Sequence, residues 1–338
     1  MDLDAAFHHL FALDGAFDDP VVRWGAIGAV AALAAAFVAV AALRAAKATS
    51  EPLHRELLAR TISWSWLLVL IGAAILLGRG ATIAATAILS LLAYREFARA
   101  TGVFRERSLS IVVLLGVLGL AFASADRWHR LYFAVTPFVV VLLAVVTLPR
   151  DQPRGYLQRT GLAIMGFLLF GTGLGYLGLL TDAPRHRALL LTLVAAVQMG
   201  DVFAFAVGKS LGGPKMIPNT SPGKTMSGSV GALLLTTLLV VLLGRPLFAG
   251  TAFGSWGPLV ALGAAIAVAG QLGGLVLSSV KRDVGIKDFA AAIPGHGGVL
   301  DRFDSLVLAP PLVYHLLSLV EGPLGEGMPQ RFFSDWWS

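Results

Sequence analysis

Ten apolar stretches, most of them close to 20 residues, recur from one end of this 338-residue chain to the other. An α-helix needs about that length to cross the hydrocarbon of a bilayer. The stretches lie at about 22–43, 62–78, 80–94, 109–124, 131–148, 161–180, 188–208, 229–248, 257–280 and 305–320, with ends good to a few residues. Soluble domains carry about 25% charged residues; here 14% are charged and 57% hydrophobic. The pattern predicts an all-α polytopic integral membrane protein of about ten transmembrane helices. The second and third stretches are short and joined only by Arg79-Gly80. They are expected to form a tight hairpin or to be partly re-entrant.

With no cysteine in the sequence, disulfides, thiolate metal sites, iron–sulfur clusters and a Cys nucleophile are excluded. Residues 1–20 are acidic and lack the basic start of a cleavable signal peptide, so none is expected. The net charge is +6, and its placement is topological. Of the Lys and Arg residues, 18 fall on one set of connections and 8 on the other set with the termini. Basic loops face the cytoplasm, which predicts a cell-membrane protein with both termini outside and the loops 209–224 and 281–302 inside. Such charge also attracts anionic membrane lipids; nucleic acid is not an expected partner. No internal repeat points to an inverted-repeat transporter.

Several local patterns have plain readings. Gly173-Leu174-Gly175-Tyr176-Leu177-Gly178 matches a dinucleotide fingerprint but lies inside an apolar span, where close helix packing explains it. Gly208-Lys209-Ser210 and Gly223-Lys224-Thr225 end like P-loops but lack the earlier glycine and the strand. They share a loop with Lys215, Ser221 and Ser227, and lysines, hydroxyls and glycine-exposed amides suit phosphate; a plain positive-inside loop is the alternative. Asp201 is the one ionisable residue expected well inside a span, where such groups are costly and usually functional; the plain alternative is an acid reaching toward Lys209. His8, His9 and His129 have few neighbouring acids and are not expected to hold a metal. Phe332, Phe333, Trp336 and Trp337 read as an interfacial aromatic anchor.

Polar chemistry concentrates in residues 278–304: Ser278, Lys281, Arg282, Lys287, Asp288, then Gly295-His296-Gly297-Gly298, then Asp301, Arg302 and Asp304. Asp301 and Asp304, three apart at a helix start, can face one way. Carboxylates suit Mg²⁺, which also takes phosphate oxygens from substrate, and the basic residues suit phosphates. The combination describes a phosphoryl or nucleotidyl transfer site.

The run from Ser278 to Asp304, S-x-x-K-R-x4-K-D-x5-P-G-H-G-G-x-x-D-R-x-D, strongly resembles the signature of the phosphatidate cytidylyltransferases, or CDP-diacylglycerol synthases. A second block agrees: Asp201, Ala204 and Gly208-Lys209, then Ser221-Pro222-Gly223-Lys224-Thr225 and Gly228. The resemblance covers about residues 198–320; the first half matches only as hydrophobic helices. Three segments follow: N-terminal helices 1–186, a catalytic membrane region 187–320 and a short tail 321–338.

The resemblance implies transfer of the cytidylyl group of CTP to phosphatidate, in phospholipid biosynthesis, with Mg²⁺ and room for a second cation. It assigns Asp301 as leading metal ligand, with Asp288 and Asp304 as further candidates. Catalytic candidates are Asp301, Asp288, Lys281, Arg302 and His296. Substrate and phosphate candidates are Asp201, Lys209, Ser221, Lys224, Thr225, Ser278, Arg282, Lys287, Gly297 and Gly298. Partners are CTP, phosphatidate or a related lipid phosphate and membrane lipids; a homodimer is permitted. Two departures stand out. The family usually has an acid at the position of Gly274, within G-D-L, and a Glu at the position of Ser227. These losses open a second reading, a weak or inactive member that binds nucleotide or lipid phosphate as a partner or regulator. A transporter and a CTP-using lipid kinase are more remote alternatives.

Overall fold

The computed structural model describes residues 10–11, 15–46, 50–291, 297–322 and 324. His8, His9, His296 and the C-terminal aromatic anchor lie outside them. Within the described residues ten helices are long and apolar enough to cross a membrane. They are α1 (Pro20–Ala45), α2 (Glu51–Leu76), α3 (Arg79–Thr101), α4 (Arg107–Ala125) and α5 (His129–Arg150). They continue as α6 (Tyr156–Asp182), α7 (His186–Leu211), α8 (Met226–Leu247), α9 (Trp256–Asp283) and α10 (Leu300–Glu321).

All ten expected segments are present, and one expectation is corrected. The second and third are full-length helices of 26 and 23 residues, too long to be re-entrant. Their apolar cores looked short because α2 opens with the polar run Glu51–Arg60 and α3 closes with Arg95, Glu96 and Arg99. The tight hairpin stands, but it turns at Leu77-Gly78, where Gly78 takes φ 101°. That backbone is open to glycine and strained for other residues.

Helix starts follow local chemistry. At α1, Asp19 accepts from the Val21 amide at 2.8 Å and Pro20 takes the first helical position, the residue types that satisfy and pre-shape a helix N-terminus. At α8, Thr225 accepts from the Gly228 amide at 3.1 Å.

Burial separates the bundle's centre from its rim. In the most apolar window of α6, 61% of residues are buried, and in α9, 56%; in α1 the share is 6%. Helices α6, α9 and α10 therefore form the centre, and α1 turns its apolar surface outward. The pair α7 and α8 packs along its length, and α8 packs on α9. The first half of α10 is irregular: a helical turn, Leu300–Phe303, a 3₁₀ turn, Asp304–Leu306, then a helix, Ala309–Glu321. It presses on α9 so closely that a Cβ at Gly273 would lie 2.7 Å from the Asp304 carbonyl.

The glycine fingerprint in α6 serves packing: a Cβ at Gly175 would lie 2.6 Å from the Tyr132 hydroxyl. The loop between α7 and α8 is not wholly irregular. It forms an antiparallel hairpin, β1 (Lys215–Ile217) and β2 (Ser221–Thr225), with Lys215 opposite Thr225 and Ile217 opposite Ser221. So the lysine-rich segment carries short strands in a chain expected to have none, and the backbone pairing holds it in one shape.

Candidate active site

The end of α7, the start of α8 and the end of α9 meet the β-hairpin at one end of the bundle, where the end of α3 also packs on the start of α10. Lys281, near the end of α9, is the hub. Its Nζ lies 2.9 Å from Asp301 Oδ1 and 3.7 Å from Asp304 Oδ2. The two acids thus face one way, as their spacing implies. Asp301 is the more deeply placed: its side chain is 2% exposed against 18% for Asp304. Its other oxygen, Oδ2, accepts from the amides of Phe289 at 2.8 Å and Gly298 at 3.0 Å. Both Asp301 oxygens are therefore engaged by protein groups. The Phe289 ring lies under Lys281, 5.6 Å from Nζ.

A second acidic pair lies beside the first. Ser305 Oγ sits 2.7 Å from Asp201 Oδ2 and 3.3 Å from Asp304 Oδ1, so one hydroxyl joins α7 to α10. Asp201 does not reach toward Lys209, which instead lies over the Phe205 ring at 5.6 Å. On its other side Asp201 and Gln271 border a small cleft between α7 and α9 whose remaining walls include Val197 and Ile266.

The two departures face this cluster differently. A Cβ at Gly274 would lie 3.2 Å from Ser305 Oγ, 3.3 Å from Lys224 Nζ and 3.9 Å from Asp304 Oδ1. The space of the missing acid is thus framed by a lysine, a hydroxyl and a carboxylate. Lys224 makes no ion pair among the described residues. Ser227 is turned inward instead, donating to the Gly212 carbonyl and lying 3.1 Å from Thr225 Oγ1. It serves the loop rather than the cluster.

The remaining candidates fall into two groups. Ser221, Thr225, Ser278 and Arg302 are half-buried or buried. The Arg302 carbonyl accepts from Gln198 at 3.3 Å, and its Nε is buried without a hydrogen-bond partner among the described residues. Arg282 is exposed and ties the hairpin turn at the Thr220 carbonyl, 3.3 Å away, to the Ile286 carbonyl at 3.0 Å. Lys209, Lys287 and Asp288 are exposed, and Asp288 takes no part in the carboxylate cluster. It stands in the signature as the acid of Lys287-Asp288, but its side chain is exposed, and the next residue delivers the Phe289 amide to Asp301 instead. Among the described residues no three acids or histidines converge as a metal cage. Asp201 and Asp304 remain as a carboxylate pair with a shared hydroxyl. Mg²⁺ commonly takes only one or two carboxylates and completes its shell with water and phosphate, so this oxygen-only set fits it.

Sequence reasoning missed Glu96. It lies in α3, beyond the apolar stretch at 80–94, and is buried beside the signature turn. Its oxygens accept from the amides of Val299 at 3.0 Å and Leu300 at 2.8 Å. No motif flags it; a lone acid between Tyr94-Arg95 and Phe97 at a helix end reads as surface.

The far end of α3, about 25 Å away at 1.5 Å per residue, carries a second buried network. Asp182 lies 2.9 Å from Arg79, 3.1 Å from Arg127 and 3.0 Å from His129 Nε2. His129 takes one acidic neighbour, because the chain folds Asp182 back from 53 residues away.

This cluster lies at one end of a bundle whose helices are long and apolar enough to cross a membrane. The profile of the cytidylyltransferase family matches residues 58–320, and the chain belongs to that family. It is 32% identical to the phosphatidate cytidylyltransferase of Rickettsia bellii over 64% of this chain and 93% of that protein. It is 30% identical to the Bacillus subtilis phosphatidate cytidylyltransferase over 64% of this chain and 82% of that one. It is also similar to the uncharacterized protein YnbB of Escherichia coli, 29% identical over 78% of this chain and 87% of YnbB. The family match begins after α1, which stands at the rim.

Proposed function

We propose that the protein transfers the cytidylyl group of CTP to phosphatidate, or a closely related lipid phosphate, giving a CDP-lipid and pyrophosphate. The observation that carries this reading is the convergence at one end of the bundle. There Lys281 bridges Asp301 and Asp304, Asp201 joins through Ser305, and Lys224 faces Gly274. A phosphate oxygen of the lipid attacks the α-phosphorus of CTP, a new P–O bond forms, and the bond to the β-phosphate breaks with pyrophosphate leaving. The protein's part is positioning and charge neutralisation. On this reading Lys224 and Arg302 hold phosphates, while Lys281 pairs with its carboxylates. Mg²⁺ would be held by Asp304 and Asp201, with Asp301 beside them, and supplies charge stabilisation on phosphate oxygens. The basic loops give this end to the cytoplasm, where CTP is available.

The test follows radiolabel from CTP into lipid, using detergent-purified protein, phosphatidate and Mg²⁺, with Asp301→Asn beside wild type. Label in lipid with wild type and its loss in the variant supports the transferase. A second reading rests on Gly274 and Ser227: the cluster lacks one carboxylate and a second position has turned to loop support. On that reading the protein binds CTP or lipid phosphate without turnover. Nucleotide binding by wild type with no labelled lipid would favour it.

A further inference from the structure

Glu96 is buried, 9% exposed, and no Lys, Arg or His pairs with it among the described residues. A buried carboxylate without a cation is costly unless hydrogen bonds replace its water. Two consecutive backbone amides supply them, Val299 to Oε1 and Leu300 to Oε2. Asp301 takes the preceding amide, Gly298, and the amide of Phe289. Three successive N–H groups, 298 to 300, therefore point at two carboxylates. Such a run of amides is a ready anion cradle, and here the protein's own acids fill it. The amide of Gly298, a substrate candidate by the resemblance, donates to Asp301. A Cβ on Gly298 would strike the Glu96 carboxylate, so the glycine makes room for the acid. The neighbouring Phe97 ring meets Phe289 at 6.4 Å, a second tie between α3 and the same turn.

We propose that Glu96 is a positioning residue for the transfer reaction. It acts through Asp301: by fixing the amides of Val299 and Leu300 it sets the turn from which Asp301 reaches Lys281 on one side and Phe289 on the other. Only the kinetic part of this claim rests on the function proposed above. Gln at this position offers one acceptor oxygen and one NH₂, so one amide loses its partner and meets a donor. Asp is one methylene shorter and reaches one amide at most.

The experiment uses the full chain in detergent, comparing wild type with Glu96→Gln and Glu96→Asp. Amide hydrogen exchange is read on peptides spanning 285–291 and 297–306, with kcat, KM for CTP and thermal unfolding alongside. In Glu96→Gln, exchange at 299–300 should rise at least about tenfold, since protection reports local opening, and Phe289 should rise with it. The turnover number kcat should fall about 10- to 100-fold with KM for CTP within about twofold, the scale that a 1 Å misplacement costs. Glu96→Asp should lie between, and decides the matter if Glu96→Gln does not fold. Faster exchange at 299–300 with Phe289 and kcat both unchanged would reduce Glu96 to a local cap and overturn the proposal; so would unchanged exchange throughout. If wild type shows no turnover, the transferase reading fails by itself and the Phe289 exchange alone decides the positioning claim.

Discussion

At one end of the bundle Asp182 is surrounded by Arg79, Arg127 and His129, with the buried Asp126 near Arg79. At the other end Asp301 and Asp304 share one lysine, Glu96 takes only backbone amides, and Asp201 takes a hydroxyl. The first arrangement is closed. Arg79 adds bonds to the carbonyls of Ser124 and Ala125 and to Thr181, so its donors are spent inside the protein. The second is open: Lys224 makes no ion pair among the described residues, Arg302 Nε has no hydrogen-bond partner, and Asp304 keeps partial exposure. Fully matched buried charge fixes structure; incompletely matched charge at the bundle's edge is available to a ligand. On the proposed function, the closed end carries stability and the open end carries chemistry.

Removing the acid from the closed end should have the largest effect. Asp182→Asn removes the carboxylate that two buried guanidinium groups share, and breaking a buried pair costs about 3–5 kcal/mol. Thermal unfolding in detergent should fall steeply, while the molecules that stay folded turn over normally. A selective loss of turnover without loss of stability would break the comparison.

Asp301→Asn at the open end should do the reverse. Turnover should drop about 10²- to 10³-fold, the usual cost of one preorganised electrostatic contact. Stability should fall by about 1–3 kcal/mol for the weakened bond to Lys281. An unfolded variant would mean that Asp301 belongs to the structural class after all.

Gly274→Asp sharpens the same contrast by adding charge where the open end lacks it. The new carboxylate would stand against Lys224 and Ser305. If the cluster binds Mg²⁺, half-saturation should move to about tenfold lower Mg²⁺, equal to about 1.4 kcal/mol, in a titration of activity or of nucleotide binding. An unchanged titration would mean that Lys224 cancels the added charge.

The smallest effect belongs to a clasp outside the spans. Arg185 donates to both Asp19 oxygens at 2.7 Å, and to the carbonyls of Pro246 and Leu247. The Arg185 guanidinium holds the Asp19 carboxyl below the ordinary carboxylate value, and the same pairing raises Arg185. A lowered carboxyl pKa stabilises the fold above the ordinary carboxylate range and loses that contribution as pH falls through its folded value. Asp19→Asn should therefore lower Tm slightly near pH 7, and the gap to wild type should close in acid. A gap independent of pH would show that packing, not charge, holds α1 to the loop between α6 and α7.

The sequence by itself determined the ten spans, because burying backbone polar groups in lipid leaves a chain of this composition little choice but helices. It also marked the cluster of Lys281, Asp301 and Asp304, since dense charge between two apolar stretches is costly to keep without a use. It did not separate Asp288 from Asp301, though both stand in one motif, because whether a side chain points inward depends on a turn that only packing sets. Nor did it find Glu96 or the Asp182 network. Glu96 meets the signature turn across 203 residues, and Asp182 meets Arg79 across 103. Such partners are chosen by which helix ends come together, and local pattern carries no record of that. Only the tertiary structure decided which carboxylates are enclosed by several cations and which meet one shared lysine, backbone amides or a hydroxyl.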